Sequence, residues 1–274
     1  MPRAGPSETG ATGGPGGPAG PGPGGFGDPG DPAPGRLGPG GSGGFGDPAD
    51  PGKTGRPGRP GRPGRLAVVV GTGTGVGKTW VAVTALRRLR AGTAKPRVAA
   101  RKPVQSFAAC DIGTDADVLA AATGETSAEV CPPHRWYAMA MAPPMAAAFL
   151  GRPAFTLSDI LAEITWPDGI DVGVVETVGG PRSPLASDAD SAALTAALEP
   201  DLVVLVAPAG LGAVNAVRLS CEALSGIAAP LVVLLNRYDG SDLHDRNLRW
   251  LQRDGYEVVM RTDDLGLWEA TPTV

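Results

Sequence analysis

The sequence has 274 residues with a formal net charge of −4 at pH 7, and its 42 glycines and 29 prolines are unevenly distributed. Residues 1–65 carry a net charge of +2 and residues 66–274 carry −6. An acidic domain is a poor candidate for nucleic-acid binding, and no uninterrupted apolar run reaches the roughly 18 residues that span a bilayer. The three cysteines are widely spaced, which argues against a disulfide framework. We therefore expect a cytoplasmic protein without nucleic-acid or membrane partners.

The first 65 residues differ in kind from the rest of the chain. They are dominated by glycine and proline, repeat GGFGDP at 24–29 and 43–48, and contain almost no aliphatic residues except Leu37. Such a segment cannot bury enough apolar surface to offset the entropy lost on ordering. We predict that residues 1–65 form a disordered extension and that residues 66–274 form a single α/β domain.

The domain begins with LAVVVGTGTGVGKTW at residues 66–80. The apolar run from Leu66 to Val70 is typical of a buried strand, and helical periodicity follows the glycine-rich turn. A strand, a glycine-rich loop and a helix in this order are typical of nucleotide-phosphate sites. The pattern GxxxxGK[ST] places a glycine at position 72, where this chain has Thr72, with Gly71 one residue earlier. The loop is therefore a variant, and the alternative is an ordinary turn with a solvated lysine.

The residue types in this loop suit an anion. Glycines such as Gly75 and Gly77 let successive N–H groups turn inward, and the helix that follows adds its free N–H groups and the positive end of its dipole. We expect Lys78 to bind the β- and γ-phosphates and the Thr79 hydroxyl to ligate Mg²⁺.

Apolar residues at helical spacing then predict a helix that ends at Gly92. A short strand follows over 97–100, and Lys102 stands at its carboxyl end, the edge at which open α/β sheets bind ligands. Pro103 biases Lys102 toward an extended backbone that can project the side chain from the strand. A second cation near the phosphates and a surface lysine are both open interpretations.

Residues 111–123 predict a loop that enters a helix, with Thr114 or Asp115 as its cap. Either Asp115 or Asp117 could reach a metal, and helix capping alone would account for both residues.

A further helix is expected from Pro143 and Pro144 to Gly151. The methionines nearby, Met139, Met141 and Met145, are expected to pack in the interior.

Three later apolar runs, at 170–176, 202–207 and 231–236, predict strands, and a helix is expected within 210–224. The first run delivers Glu176 to the sheet edge near the magnesium expected on Thr79. The repeated β-then-α order predicts a doubly wound, mostly parallel sheet with flanking helices, as in P-loop NTPases.

Five segments in order resemble dethiobiotin synthetase. They are GTGTGVGKT at 71–79, KPVQS at 102–106, ETVGG at 176–180, GLGAVNAVRLSCEAL at 210–224 and LLNR at 234–237. The phosphate loop of that family has the same one-residue lengthening. The resemblance implies an ATP- and Mg²⁺-dependent ligase of biotin synthesis, which joins 7,8-diaminononanoate and CO₂ into the ureido ring of dethiobiotin.

The resemblance also implies roles for individual residues. Lys78 would bind the transferring phosphate, and Lys102 would stabilise the carbamate and the phosphoryl group. Magnesium would be held by Thr79, Asp115 and Glu176. The nucleotide would contact Gly75, Val76, Gly77, Lys78, Thr79, Trp80, Asp115, Glu176, Thr177, Val178, Gly179, Asn236 and Arg237, with Asn236 reading adenine. The diamine would contact Thr74, Ser106, Gly179 and Asn215, the last from a neighbouring subunit, so a homodimer is implied.

The chain departs from the family in four places. The usual EGAGG is ETVGG here, so Thr177 and Val178 are expected to crowd the nucleotide and substrate. The IP-containing adenine loop has no clear counterpart near residues 261–265. Asp117 could be aligned in place of Asp115, and residues 1–65 have no place in the family.

Two other classes of protein remain as alternatives. One is a degenerate nucleotide-binding protein without catalysis. The other is the wider P-loop group of partitioning ATPases and amidating synthases. Partitioning ATPases carry a further lysine where this chain has Gly73, and the stretch after residue 240 is too short for the glutaminase domain of amidating synthases.

Overall fold

The computed structural model describes residues 61–265. The strands are β1 (Arg65–Gly71), β2 (Val98–Arg101), β3 (Gln105–Ser106), β4 (Trp136–Tyr137), β5 (Val172–Glu176), β6 (Leu202–Pro208), β7 (Leu231–Asn236) and β8 (Val258–Val259). The α-helices are α1 (Lys78–Ala91), α2 (Asp115–Thr123), α3 (Ser127–Val130), α4 (Pro143–Phe149), α5 (Leu157–Glu163), α6 (Ser191–Leu198), α7 (Ala213–Leu224) and α8 (Asp242–Arg253). Within this range, none of the helices combines the length and apolarity needed to cross a bilayer.

Six strands form one sheet in the order β2-β5-β1-β6-β7-β8, and every pairing is parallel. The chain adds β2 and β5 on one side of β1 and then β6, β7 and β8 on the other. Because the strands are parallel, the carboxyl ends of β1, β2 and β5 lie at the same edge of the sheet. The predicted doubly wound parallel sheet with flanking helices is confirmed. In such sheets the ligand site lies outside these carboxyl ends.

Both faces of the sheet are covered. Val69 of β1 packs in a core cluster with Leu86 of α1, whereas Val68 packs on the opposite face in a cluster with Leu251 of α8. Successive side chains of a strand point to opposite faces, so a strand that is covered on both sides must be apolar throughout. This explains the unbroken apolar run from Leu66 to Val70.

The backbone joins the sheet just before β1. The Gly64 N–H donates to Ile170 O at 2.9 Å, and the guanidinium of Arg62 donates to Glu199 O at 2.5 Å. Residues 62–65 therefore contact the domain, although composition assigned them to the extension. Residues 1–60 lie outside the described part of the chain, so the disorder of the extension and the division at residues 65 and 66 stay predictions.

A smaller core cluster, the satellite core, is separate from the two that cover the sheet and contains Tyr137, Phe155 and Leu185. β3 and β4 form a small parallel pair, and Tyr137 stacks on Phe155 with ring centroids 5.9 Å apart. Met139 packs partly against this cluster. The expectation that all three methionines pack was wrong for Met141 and Met145, which are 38% and 58% exposed. Met145 lies on α4, which turns Ala146 and Ala147 toward the core, and Met141 lies in the segment before that helix.

Candidate active site at the carboxyl edge of the sheet

The glycine-rich loop connects β1 to α1, and Gly77 is the N-cap of that helix with φ of 100°. L side chains are strained in this region of φ. A Cβ on Gly77 would also collide with the amide of Asn236, and one on Gly71 would lie 2.8 Å from Val76 Cγ2. Both glycines are therefore required by close packing within the loop.

Lys78 is buried and bridges two loops. Its Nζ donates to Gly73 O and to Gly179 O, each at 3.0 Å. Burial, helped by repulsion from Lys102, lowers the pKa of Lys78 to about 8. The lysine therefore sits inside the loop against carbonyl oxygens, where an anion would compete for its ammonium group.

Thr79 stands between two carboxylates. Its Oγ1 lies 2.8 Å from Asp115 Oδ1 and 2.9 Å from Glu176 Oε1, so its single hydroxyl hydrogen can be donated to either carboxylate. The three residues predicted to hold magnesium therefore lie together. They are the second residue of α1, the first residue of α2 and the last residue of β5.

Lys102 completes the cluster from the end of β2. It is 3% exposed, and its Nζ lies 2.7 Å from Glu176 Oε1 and 2.8 Å from Asp115 Oδ2. Burial disfavours the charged form of Lys102, but the attraction of Glu176 and Asp115 outweighs it and holds the pKa above its ordinary value. The interpretation of Lys102 as a surface lysine was wrong, and the site contains a second buried cation.

The acidic residues suit a magnesium ion. Among the buried side chains of residues 61–265, Glu176 Oε2 is the polar atom left without a hydrogen-bond partner. No three His, Cys, Asp or Glu side chains in the same range form a complete metal cluster. Magnesium commonly takes one or two carboxylates and fills its other positions with water and phosphate oxygens. Two carboxylates, one of them with an unsatisfied oxygen, and the Thr79 hydroxyl fit that requirement.

Asp117 has a different partner set. The Thr114 N–H and hydroxyl donate to Asp117 Oδ2, and the Ser127 hydroxyl donates to Asp117 Oδ1. Thr114 and Asp117 form a capping box at the start of α2, with Thr114 as the N-cap. Of the two aspartates left open by the sequence, Asp115 lies in the cluster.

Thr177 and Val178 turn away from the site. Thr177 is fully buried and its Oγ1 donates to Val69 O at 3.2 Å, whereas Val178 packs in the satellite core with Leu185. The expectation that these side chains crowd the nucleotide and substrate was wrong, because both occupy the protein interior.

Asn236 is the last residue of β7, Arg237 follows it, and both brace the glycine-rich loop. Asn236 Nδ2 donates to Val76 O at 2.8 Å, and the Arg237 guanidinium donates to Gly75 O at 2.9 Å. The Asn236 side chain is 6% exposed, so part of its hydrogen-bonding capacity already serves the loop.

The remaining predicted residues do not belong to the cluster. Thr74 is exposed on the loop, and a Cβ on Gly179 would lie 3.7 Å from its Oγ1. Ser106 donates to Met141 O at 2.5 Å. Trp80 is 60% exposed on α1, and Asn215 is exposed on α7, without a hydrogen bond to the cluster within residues 61–265.

Two serines were missed by sequence analysis. Ser191 Oγ donates to Val178 O at 2.7 Å, and Ser183 Oγ accepts from Gly180 N–H at 2.8 Å. Both hold the loop after β5. Their only sequence signal is that Ser183 follows a glycine pair and Ser191 follows an N-capping aspartate. The fold decides which group each hydroxyl contacts.

The parallel sheet, the glycine-rich loop and the lysine and carboxylate cluster define a P-loop α/β protein. A family described as AAA domain matches residues 65–257. The ATP-dependent dethiobiotin synthetase BioD of Caulobacter vibrioides is 33% identical over 210 residues, which cover 74% of this chain and 94% of that protein. Proteins of the same name from Anaeromyxobacter dehalogenans and Haloferax mediterranei are 37% and 36% identical, over 64% and 65% of this chain and 77% and 74% of their own lengths. The chain belongs to the dethiobiotin synthetase family.

Proposed function

We propose that this protein is an ATP- and Mg²⁺-dependent cyclo-ligase that converts 7,8-diaminononanoate and CO₂ into dethiobiotin. The observation that best supports this function is the meeting of Lys102 with Thr79, Asp115 and Glu176 at one sheet edge, next to Lys78 of the glycine-rich loop. The family relationship supplies the reaction, and the cluster supplies the charges that the reaction needs.

Each step of the reaction develops or redistributes negative charge on oxygen atoms. One amine of the substrate adds to CO₂ and gives a carbamate, and a carbamate oxygen then takes the γ-phosphoryl group of ATP, which leaves ADP. The second amine attacks the carbamoyl carbon, phosphate departs, and the cyclic urea forms with loss of the amine protons. Phosphoryl transfer is catalysed mainly by positioning and by electrostatic stabilisation.

The two lysines divide this work. Lys78 exchanges its bonds to Gly73 O and Gly179 O for the phosphate that is transferred. Lys102 holds its charge at the sheet edge, where it stabilises the carbamate and the phosphoryl oxygens. Magnesium, bound by Thr79, Asp115 and Glu176, would neutralise part of the phosphate charge.

The surrounding residues bind the two substrates. Backbone N–H groups from Gly75 to Thr79 cradle the phosphates, while Asn236 and Arg237 lie on the adenine side. Thr177 and Val178 contribute through their backbone, and Trp80 contributes from the start of α1. The diamine lies against Thr74, Ser106 and Gly179. Asn215 of a neighbouring subunit completes the diamine site, so the protein acts as a homodimer.

A cytoplasmic location accompanies this function. The wide spacing of Cys110, Cys131 and Cys221 along the chain, which argues against a disulfide framework, supports this proposal.

The test is ADP release by the full chain with Mg²⁺, ATP and bicarbonate, with and without 7,8-diaminononanoate. We expect release that depends on the diamine and that falls at least about a hundredfold in Lys102→Gln, since this variant removes a preorganised charge. Formation of dethiobiotin is measured in the same reactions by mass spectrometry.

Lys95→Gln is the matched control, because Lys95 is exposed in the loop after α1. It should retain wild-type turnover. Thermal unfolding of both variants separates loss of charge from loss of fold. A chain that binds ATP but releases no diamine-dependent ADP would be the non-catalytic nucleotide-binding protein instead.

A further inference from the structure

The segment 176–180, which comprises the last residue of β5 and the loop after it, holds both lysines of the site. Glu176 offers its carboxylate to Lys102, and the Thr177 carbonyl accepts from Lys102 Nζ at 3.2 Å. The Gly179 carbonyl accepts from Lys78 Nζ at 3.0 Å. The positions of both ammonium groups therefore depend on how firmly the backbone of this loop is held.

The far half of the loop is held by the two serines described above. Ser191 is fully buried and bonds the carbonyl of Val178, and Ser183 bonds the N–H of Gly180. These bonds lie on either side of Gly179. The backbone that presents its carbonyl to Lys78 is thus fixed from outside the loop.

The near half of the loop is held by Thr177 itself. The Thr177 N–H and Oγ1–H both donate to Val69 O, at 3.0 Å and 3.2 Å. Val69 belongs to β1, two residues before the glycine-rich loop begins, and Thr177 has no exposed surface. The hydroxyl therefore ties the residue whose carbonyl faces Lys102 to the strand that carries the phosphate loop.

We propose that the Thr177 hydroxyl is a positioning group that fixes the Thr177 carbonyl and, through it, the ammonium of Lys102. The inference rests on the proposed function, because it assigns Thr177 an indirect part in the same reaction. Without the hydroxyl, the N–H bond to Val69 still keeps the loop in place, but the residue has one anchor fewer. The ammonium of Lys102 is held by Glu176 Oε1, Asp115 Oδ2 and Thr177 O, and the third of these oxygens is then less firmly fixed. The loss of a fixed ammonium position has its largest effect when charge develops during phosphoryl transfer.

The test compares Thr177→Val and Thr177→Ser in the full chain, measuring kcat, KM for ATP, KM for the diamine and the unfolding temperature. Valine keeps the shape and removes the hydroxyl, whereas serine keeps the hydroxyl. We expect Thr177→Val to lower kcat by about five- to tenfold with both KM values within about twofold of wild type. Thr177→Ser should recover most of that loss. If valine prevents folding, Thr177→Ala carries the same expectation.

Thr123→Val is the matched control. Thr123 is a buried threonine at the end of α2, and its hydroxyl donates to carbonyls of its own helix. This variant should lower the unfolding temperature without lowering kcat. The inference is overturned if Thr177→Val turns over like wild type, if its defect lies in KM, if Thr123→Val lowers kcat equally, or if Thr177→Ser recovers nothing. A wild-type chain without diamine-dependent ADP release would overturn the proposed function as well, so the two failures are distinguishable.

Discussion

Lys102 Nζ lies 2.7 Å from Glu176 Oε1, and both side chains are almost completely buried at the ends of neighbouring strands β2 and β5. A buried ion pair of this kind is costly to desolvate and is a weak source of stability. Its value lies in function: it holds a charged lysine and an acidic residue with one unsatisfied oxygen at the edge where the glycine-rich loop ends.

Substitution of the two aspartates of α2, one at a time, should show that one affects metal binding and the other affects helix stability. We expect Asp115→Asn to raise the Mg²⁺ concentration needed for half-maximal ADP release by at least about tenfold, because a ligand loses its charge. Asp117→Asn should keep the Mg²⁺ requirement and lose about 0.5–1 kcal/mol of unfolding free energy through the weakened capping box. Magnesium titrations and urea unfolding measure the two effects. Equal Mg²⁺ requirements in both variants would contradict the assignment of Asp115.

Gly77→Ala should abolish nucleotide binding. The new Cβ would meet the Asn236 amide at a residue whose φ is 100°, so the loop and its brace must both shift. We expect the Kd for ATP, measured by calorimetry, to rise at least about a hundredfold. Gly226→Ala is the control, since a Cβ there meets no atom within 4 Å. The prediction fails if Gly77→Ala binds ATP as tightly as Gly226→Ala.

Leu86→Ala should destabilise the domain strongly. Leu86 has no exposed surface and packs beneath β1 from α1, so truncation leaves a cavity in the largest core cluster. We expect a loss of about 2–5 kcal/mol of unfolding free energy, measured with urea. Leu219→Ala on α7, where the side chain is 58% exposed, should change it by less than about 0.5 kcal/mol. Similar losses in both variants would mean that α1 does not cover this face of the sheet.

The three thiols should react at very different rates with a disulfide reagent at pH 8. Cys110 is exposed, whereas burial raises the pKa of Cys131 to about 12 and that of Cys221 to about 11. Only the thiolate attacks the reagent, so Cys110 should react in the native protein, whereas Cys131 should react only after unfolding. Labelling with and without urea counts the accessible thiols. The Cys110→Ser variant should remove the fast phase, and a fast phase that survives would show that a second thiol is open.

Much of the fold follows from local patterns. The apolar run of β1, the glycine-rich turn and the periodicity of α1 predicted those elements because strand burial, left-handed φ and helical spacing depend on neighbouring residues. The exposure of Met145 could not be predicted, because composition does not show which side of α4 faces the core. The same limit applied to Thr177 and Val178, whose side chains turn inward only because strand β1 and the satellite core lie beside them.

By itself, the sequence determined the phosphate loop, the order of strands and helices, the family resemblance and the set of residue types for the site. Only the tertiary structure decided which of these residues meet. It chose Asp115 over Asp117, buried Lys102 against Glu176, and turned the Asn236 amide onto the glycine-rich loop. The physical reason is that Thr79, Asp115 and Glu176 lie on three separate elements and Lys102 directly follows a fourth. The distances between their atoms are set by strand pairing and helix packing rather than by spacing along the chain.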